Sequence, residues 1–86
     1  MIKTIYKRDG REVPFEVEKI ANAIFKAAQA LGGHDYDTAM KLAQQVVEEV
    51  EQECGDAPPT VEQVQDVVER VLIKNGHART AKEYIL

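Results

Sequence analysis

The Asp9-Gly10 pair constrains this chain more than any other feature, because it stands between a β-branched and aromatic run at residues 2–6 and the short run Val13-Pro14-Phe15. Asp-Gly between such runs is the strongest short-range hairpin signal, since a type I′ turn requires positive φ at both central positions. With Asp9 and Gly10 as a two-residue loop, the register pairs Arg8 with Arg11, Lys7 with Glu12, Tyr6 with Val13 and Thr4 with Phe15. Alternation then sets Tyr6, Val13 and Phe15 on one face, and Lys7 and Glu12 on the other. Pro14 cannot donate to a ladder, so the second strand is expected to be short and at an edge. A lone hairpin is marginal in water and must lean on something.

From Val17 the apolar spacing changes from two to three and four: Ile20, Ala23, Ile24, Ala27, Ala28 and Leu31 form one stripe, and Gly32-Gly33 stops it. Asp35 or Asp37 can cap a second helix, with Ala39, Leu42, Ala43, Val46, Val47 and Val50 inward and the acidic run Glu48, Glu49, Glu51 and Glu53 as a solvated face. A loop at residues 55–59 leads to Thr60, an N-cap with Gln63 three positions on. The third helix turns Val61, Val64, Val67, Val68, Val71 and Leu72 inward and ends at Asn75-Gly76. A final segment from Ala78 presents Ala81, Tyr84 and Ile85. The fold class is therefore α+β: an N-terminal β-hairpin packed on a bundle of four helices. With 86 residues and 9.6 kDa, residues 1–86 make a single domain. Tyr84-Ile85-Leu86 is still amphipathic where the sequence stops, so the expectation is an N-terminal piece of a longer chain.

Chemistry is bounded by what the residues offer. No apolar run approaches the roughly 20 residues of a membrane span, and Met1-Ile2-Lys3 opens no signal peptide, so the expected location is cytoplasmic. Cys54 is the only cysteine, and with only His34 and His77 beside it a four-ligand zinc site is not available. Cys54 near the end of an acidic helix reads as structural, and the two histidines read as loop or cap residues. No Gly-Lys-Ser/Thr loop or Gly-x-Gly-x-x-Gly cradle is present. The chain is short for a complete catalytic machinery, which favours a binding or regulatory module without catalytic residues of its own.

The net charge of −4 argues against a general nucleic-acid binder, but it hides a pattern. Residues 1–34 hold six Lys/Arg against four Asp/Glu, residues 35–69 one against ten, and residues 70–86 four against one. Two basic ends that met in space would form a local positive site for a compact anion. Lys7, Arg8 and Arg11 sit at the hairpin turn. Lys19 falls in the first turn or so of the next helix, where backbone N–H groups attract anions and a lysine is disfavoured unless an anion compensates it. Two readings stand side by side: these cations receive an anionic ligand, or Lys7 pairs with Glu12 and Lys19 is simply solvated.

The run Lys7-Arg8-Asp9-Gly10-Arg11-Glu12-Val13-Pro14-Phe15, followed by Glu18-Lys19-Ile20 and Ala23-Ile24, resembles the opening of the ATP-cone, the regulatory nucleotide-binding domain of ribonucleotide reductases. The resemblance continues through residues 59–66, Pro-Thr-Val-Glu-Gln-Val-Gln-Asp, and residues 76–85, Gly-His-Ala-Arg-Thr-Ala-Lys-Glu-Tyr-Ile. The last block is most similar to the version heading anaerobic, class III ribonucleoside-triphosphate reductases. The resemblance implies an allosteric site for ATP and dATP that sets overall activity, ATP permitting catalysis and dATP stopping it, with Mg²⁺ arriving on the triphosphate. It implies that Lys7 and Arg8 meet phosphates, that Lys19 joins them, that Ile5 flanks the base, that Glu16 lies near the ribose, and that Val61 and Gln65 contact the base or its surroundings. Several family members carry threonine near Val61 and histidine near Gln65, so this sequence departs from them at the base. The implied partners are adenine nucleotides, a downstream catalytic domain and further copies in a homo-oligomer, with no nucleic acid and no membrane. Two other readings are the same cone in a nucleotide-sensing transcriptional repressor, and a small helical interaction module without ligand. The first is expected to place a four-cysteine zinc ribbon ahead of the cone, and Met1 standing just before the strand speaks against it.

Overall fold

The computed structural model of the protein describes residues 1–85; the expected apolar end at Leu86 lies outside them. Two strands, β1 (Thr4–Tyr6) and β2 (Glu12–Pro14), precede four helices: α1 (Val17–Gln29), α2 (Tyr36–Cys54), α3 (Val61–Lys74) and α4 (Ala78–Ile85). This is the α+β hairpin-and-bundle architecture read from the sequence. Helix α1 packs on α2, α2 on α3, α3 on α4 and α4 back on α1, so each helix has two neighbours. Their shared interior is apolar throughout: Ile24, Val46, Val50, Val67, Val68, Val71 and Leu72 are fully enclosed, and no polar or charged residue is buried among the described residues.

The helix boundaries follow from local chemistry. The side chain of Asp35, not Asp37, caps α2 by accepting from the Thr38 N–H at 3.1 Å. Thr60 and Gln63 form a reciprocal capping box at α3: the Gln63 N–H donates to the Thr60 hydroxyl at 3.1 Å, and the Thr60 N–H donates to Gln63 Oε1 at 2.8 Å. Helix α1 has no such cap; Glu16 precedes it in extended conformation and its side chain caps nothing. Two details of the stripes differ from the 3–4 spacing. Ala21, rather than Ala23, is fully enclosed, and Leu31 lies past the end of α1, exposed beside Gly32 at φ +89°.

The hairpin is one residue out of the expected register. Thr4 pairs with Pro14, Ile5 with Val13 and Tyr6 with Glu12, while the Lys7 N–H donates to the Arg11 carbonyl at 2.8 Å. The loop is therefore Arg8-Asp9-Gly10, a turn closed by the Gly10 N–H on the Lys7 carbonyl at 2.9 Å, with only Gly10 at positive φ, +86°. A type I′ turn would need Asp9 in the left-handed region as well. The three-residue loop leaves that cost to glycine alone, and it frees the Asp9 carboxylate to accept from the Arg11 N–H at 3.1 Å and Nε at 2.7 Å. The shift exchanges faces: Tyr6 moves away from Val13 to the outer side, and Lys7 turns in beside Ile5, Val13 and Phe15. The expected Lys7–Glu12 pair does not form; Glu12 accepts from the Thr4 hydroxyl at 2.6 Å instead.

The hairpin reaches the bundle through few contacts. The Tyr6 N–H donates to the Pro59 carbonyl at 2.9 Å, forming a parallel bridge at Thr60, and Ile5 and Phe15 pack on the edge of the core. Ile2, just before β1, is buried, and its N–H donates to Glu51 of α2 at 3.2 Å.

Candidate functional site

Where the hairpin leans on the bundle, a cavity of about 150 Å³ opens between its inner face and the starts of α1 and α3. Ile5, Val13, Phe15, Ile20, Val61 and Val64 make its apolar walls, and Lys7, Glu16 and Lys19 its polar rim. Five of the seven residues expected to form a site, Ile5, Lys7, Glu16, Lys19 and Val61, thus line one space. Lys7 and Val61 also border a shallow hollow of about 300 Å³ with Arg8 and Asp9, so the apolar slot runs out into a basic one at the hairpin tip. The slot alone is smaller than the roughly 300–1,000 Å³ typical of ligand pockets, and is sized for a flat ring rather than a whole nucleotide.

The electrostatics favour anions. Two helices begin at this cavity, at Glu16 and at Val61, and the first N–H groups of any α-helix lack intrahelical acceptors. At α3 the capping box satisfies part of that demand; α1 has no side-chain cap, and although the Lys19 N–H donates to the Glu16 carbonyl at 3.1 Å, the N–H groups of Val17 and Glu18 are left for an external acceptor. Lys19 Nζ lies 3.5 Å from Glu16 Oε2 across that turn. Lys7 takes part in none of the ion pairs among the described residues. Asp9, the acid nearest the hairpin tip, is turned onto Arg11, whose N–H and guanidinium hold its carboxyl below the usual carboxylate range.

Arg8 and Gln65 stand just outside the slot and meet each other. Arg8 Nη2 donates to Gln65 Oε1 at 3.1 Å, and Arg8 Nε is 3.6 Å from Glu62 Oε2. Gln65 also borders a groove between α1 and α4 with Lys26, Glu83 and Tyr84. Glu62 had not been singled out by sequence reasoning; its signal is the three-residue spacing to Gln65, which puts both on one face of α3. Val13, Phe15 and Ile20 were not among the expected site residues, yet they wall the slot together with Val64 of the valine-rich third helix.

Two expectations need correction. Two of the four cations of the basic C-terminal end turn to α2 and not to the hairpin: Arg70 pairs with Glu49 and Glu53, and Lys74 donates to Glu49 at 2.6 Å. Nor is the acidic face of α2 wholly solvated, because Glu49 is largely covered by these cations, and its carboxyl is held below its ordinary value by Lys74 first and then Arg70. A larger cavity, about 350 Å³, lies elsewhere, lined by apolar residues with His34, Asp35, Thr38, His77 and Thr80. No lysine or arginine lines it, and the Asp35 carboxylate on its wall opposes a phosphate chain.

The ATP cone domain family matches residues 3–86, nearly the whole chain. The chain belongs to the ATP-cone family. An ATP-cone is a nucleotide-binding regulatory domain, and its relatives here are ribonucleotide reductases. A vitamin B12-dependent ribonucleoside-diphosphate reductase of Thermoplasma acidophilum is 43% identical over 91 residues, covering 100% of this chain and 12% of the relative. The ribonucleoside-diphosphate reductase subunit alpha of Chlamydia muridarum is 36% identical over 92 residues, covering 96% and 9%. An anaerobic ribonucleoside-triphosphate reductase of Escherichia coli is 33% identical over 85 residues, covering 99% and 12%. The chain spans about a tenth of the length of the curated relatives it matches. No helix among the described residues is long and apolar enough to cross a membrane.

Proposed function

We propose that this ATP-cone binds ATP and dATP between the hairpin and the starts of α1 and α3, and thereby sets the overall activity of a ribonucleotide reductase of which residues 1–86 are one domain. The observation that carries the reading is that Ile5, Lys7, Glu16, Lys19 and Val61 line a single cavity, which shares Lys7 and Val61 with the Arg8 hollow. Adenine enters the slot walled by Ile5, Val13, Val61 and Val64. The triphosphate passes toward Lys7, Arg8 and Lys19, whose charge-assisted hydrogen bonds are the strong kind. Glu16, at the rim, is the acceptor for ribose hydroxyls, and so the group able to tell ATP from dATP. Gln65 reaches the surroundings of the base once it releases Arg8.

Among the described residues there is no group of three or more His, Cys, Asp or Glu side chains able to hold a metal ion. Mg²⁺ therefore comes with the triphosphate, its ligands being phosphate oxygens and water, as its octahedral preference allows. Regulation requires that ATP and dATP favour different arrangements of the domain against the catalytic part, or of copies in a homo-oligomer, by a few kcal/mol. ATP permits the reaction and dATP stops it, in the cytoplasm. The block at residues 76–85 supports an anaerobic ribonucleoside-triphosphate reductase as the parent; the 43% identity to a B12-dependent ribonucleoside-diphosphate reductase supports a reductase of that type instead.

Isothermal titration of the 86-residue chain with ATP, dATP and GTP tests the reading. Adenine nucleotides are expected to bind near 1 μM, about −8 kcal/mol, with GTP weaker. Equal affinity for all three reduces the site to a plain anion receptor, and no binding leaves a helical interaction module.

A further inference from the structure

Arg8 is engaged by other side chains of the protein. Its Nη2 is on the Gln65 side-chain oxygen at 3.1 Å and its Nε is 3.6 Å from Glu62 Oε2, so the hairpin tip is tied to the first turns of α3. Glu62 itself is well placed, since an acidic side chain in the first turn of a helix is favoured by the backbone dipole. A carboxylate at this point nevertheless sits beside the hollow lined by Lys7, Arg8, Asp9 and Val61, where it opposes an incoming anion.

We propose that Glu62 is an internal counter-anion of the site: its carboxylate competes for Arg8 with a polyphosphate, which binds by displacing it. The proposal rests on reading this cavity as the nucleotide site. The competition is uneven. Glu62 meets Arg8 at 3.6 Å through a single nitrogen, and both side chains are more than half exposed. A phosphate can instead take the guanidinium fork with two short parallel hydrogen bonds. Glu62 thus sets a threshold, holding Arg8 against weakly binding small anions and yielding it to a polyphosphate that Lys7 and Lys19 also grip. Gln65 is released in the same event, which couples phosphate capture at the hairpin tip to the side chain next to the base slot.

The test is a double-mutant cycle by isothermal titration, using MgATP and, separately, inorganic tripolyphosphate, on the 86-residue chain and its Glu62→Gln, Arg8→Ala and doubly substituted forms. Circular dichroism melting first establishes that each form is folded. An exposed pair contributes little, so Glu62→Gln is expected to tighten ATP binding by about two- to fivefold. In the Arg8→Ala background the same substitution is expected to change nothing. An equal gain with and without Arg8 would show general repulsion and overturn the displacement, as would unchanged or weaker binding by Glu62→Gln. If the unsubstituted chain binds neither probe, the nucleotide reading falls and this proposal with it. If it binds ATP and Glu62 is without effect, only this proposal falls.

Discussion

The bundle and the hairpin of this small domain are built on opposite terms. In the bundle each helix packs on two others, the interior is apolar, and a capping box and an aspartate cap fix the starts of α3 and α2. In the hairpin the strands are three residues long, the cations are exposed, and one backbone hydrogen bond from Tyr6 to Pro59 ties β1 to the helical part. The difference teaches that stability and recognition are separated in space. Burial of valine, leucine and isoleucine holds the scaffold, and the hairpin, contributing little to it, is free to carry charge and to adjust over a ligand. On the proposed reading, a slot of about 150 Å³ serves a nucleotide larger than itself because the hairpin over it is the weakly held part.

The largest effect expected from breaking this division is in the bundle. Leu72 is fully enclosed, and Leu72→Ala is expected to cost about 2–5 kcal/mol in urea unfolding, without weakening nucleotide binding by the molecules that remain folded. Next is Lys7→Ala, expected to reduce ATP affinity by about 1.5–3 kcal/mol while unfolding free energy stays within about 0.5 kcal/mol of the original. A Lys7→Ala protein as unstable as Leu72→Ala would abolish the distinction between scaffold and site.

Gly10→Ala probes the hairpin without touching its charges. No atom crowds the new methyl group, but φ of +86° is left-handed and costs a non-glycine residue about 1–2 kcal/mol. Amide exchange should speed up at Tyr6 and Lys7 and stay slow at Val68 and Leu72; acceleration across the bundle would mean that the two regions open together. The smallest effect concerns the α2–α3 clamp. The carboxyl of Glu49 is depressed in the folded state, chiefly by Lys74, so its contribution is present above the unfolded-chain value and is lost as pH falls through the depressed one. Glu49→Gln is expected to be less stable by under about 1 kcal/mol at neutral pH, with the gap closing on acidification. A gap that widens in acid would contradict the clamp.

Local signals in the sequence were readable where one element decides the outcome. Thr60 with Gln63, Asn75-Gly76 and the valine stripe of α3 fix a helix by neighbours three or four residues away. The hairpin was legible as an element but not in register, because Asp-Gly fits both a two-residue loop and the last two positions of a three-residue loop. Only the backbone decides between them, and the choice determines which side of the sheet carries Lys7. Contacts between elements were not legible. Nothing in residues 48–53 marks Glu49 rather than Glu48 or Glu51 as the partner of Lys74, and nothing in α3 shows Arg8 arriving at Glu62. Lys7, Arg8 and Lys19 stood out by charge and position, whereas the roles of Ile5, Glu16, Val61 and Gln65 came through the family's sequence blocks. That five of them share one cavity is a property of the fold.

An ATP titration followed by ¹H–¹⁵N correlation spectra of the 86-residue chain is the most direct trial of the site. The account predicts saturating shifts at the amides of Ile5, Lys7, Arg8, Lys19 and Val61, with His34, Thr38 and His77 unmoved. Shifts confined to the His34–His77 cavity, with the hairpin silent, would contradict it.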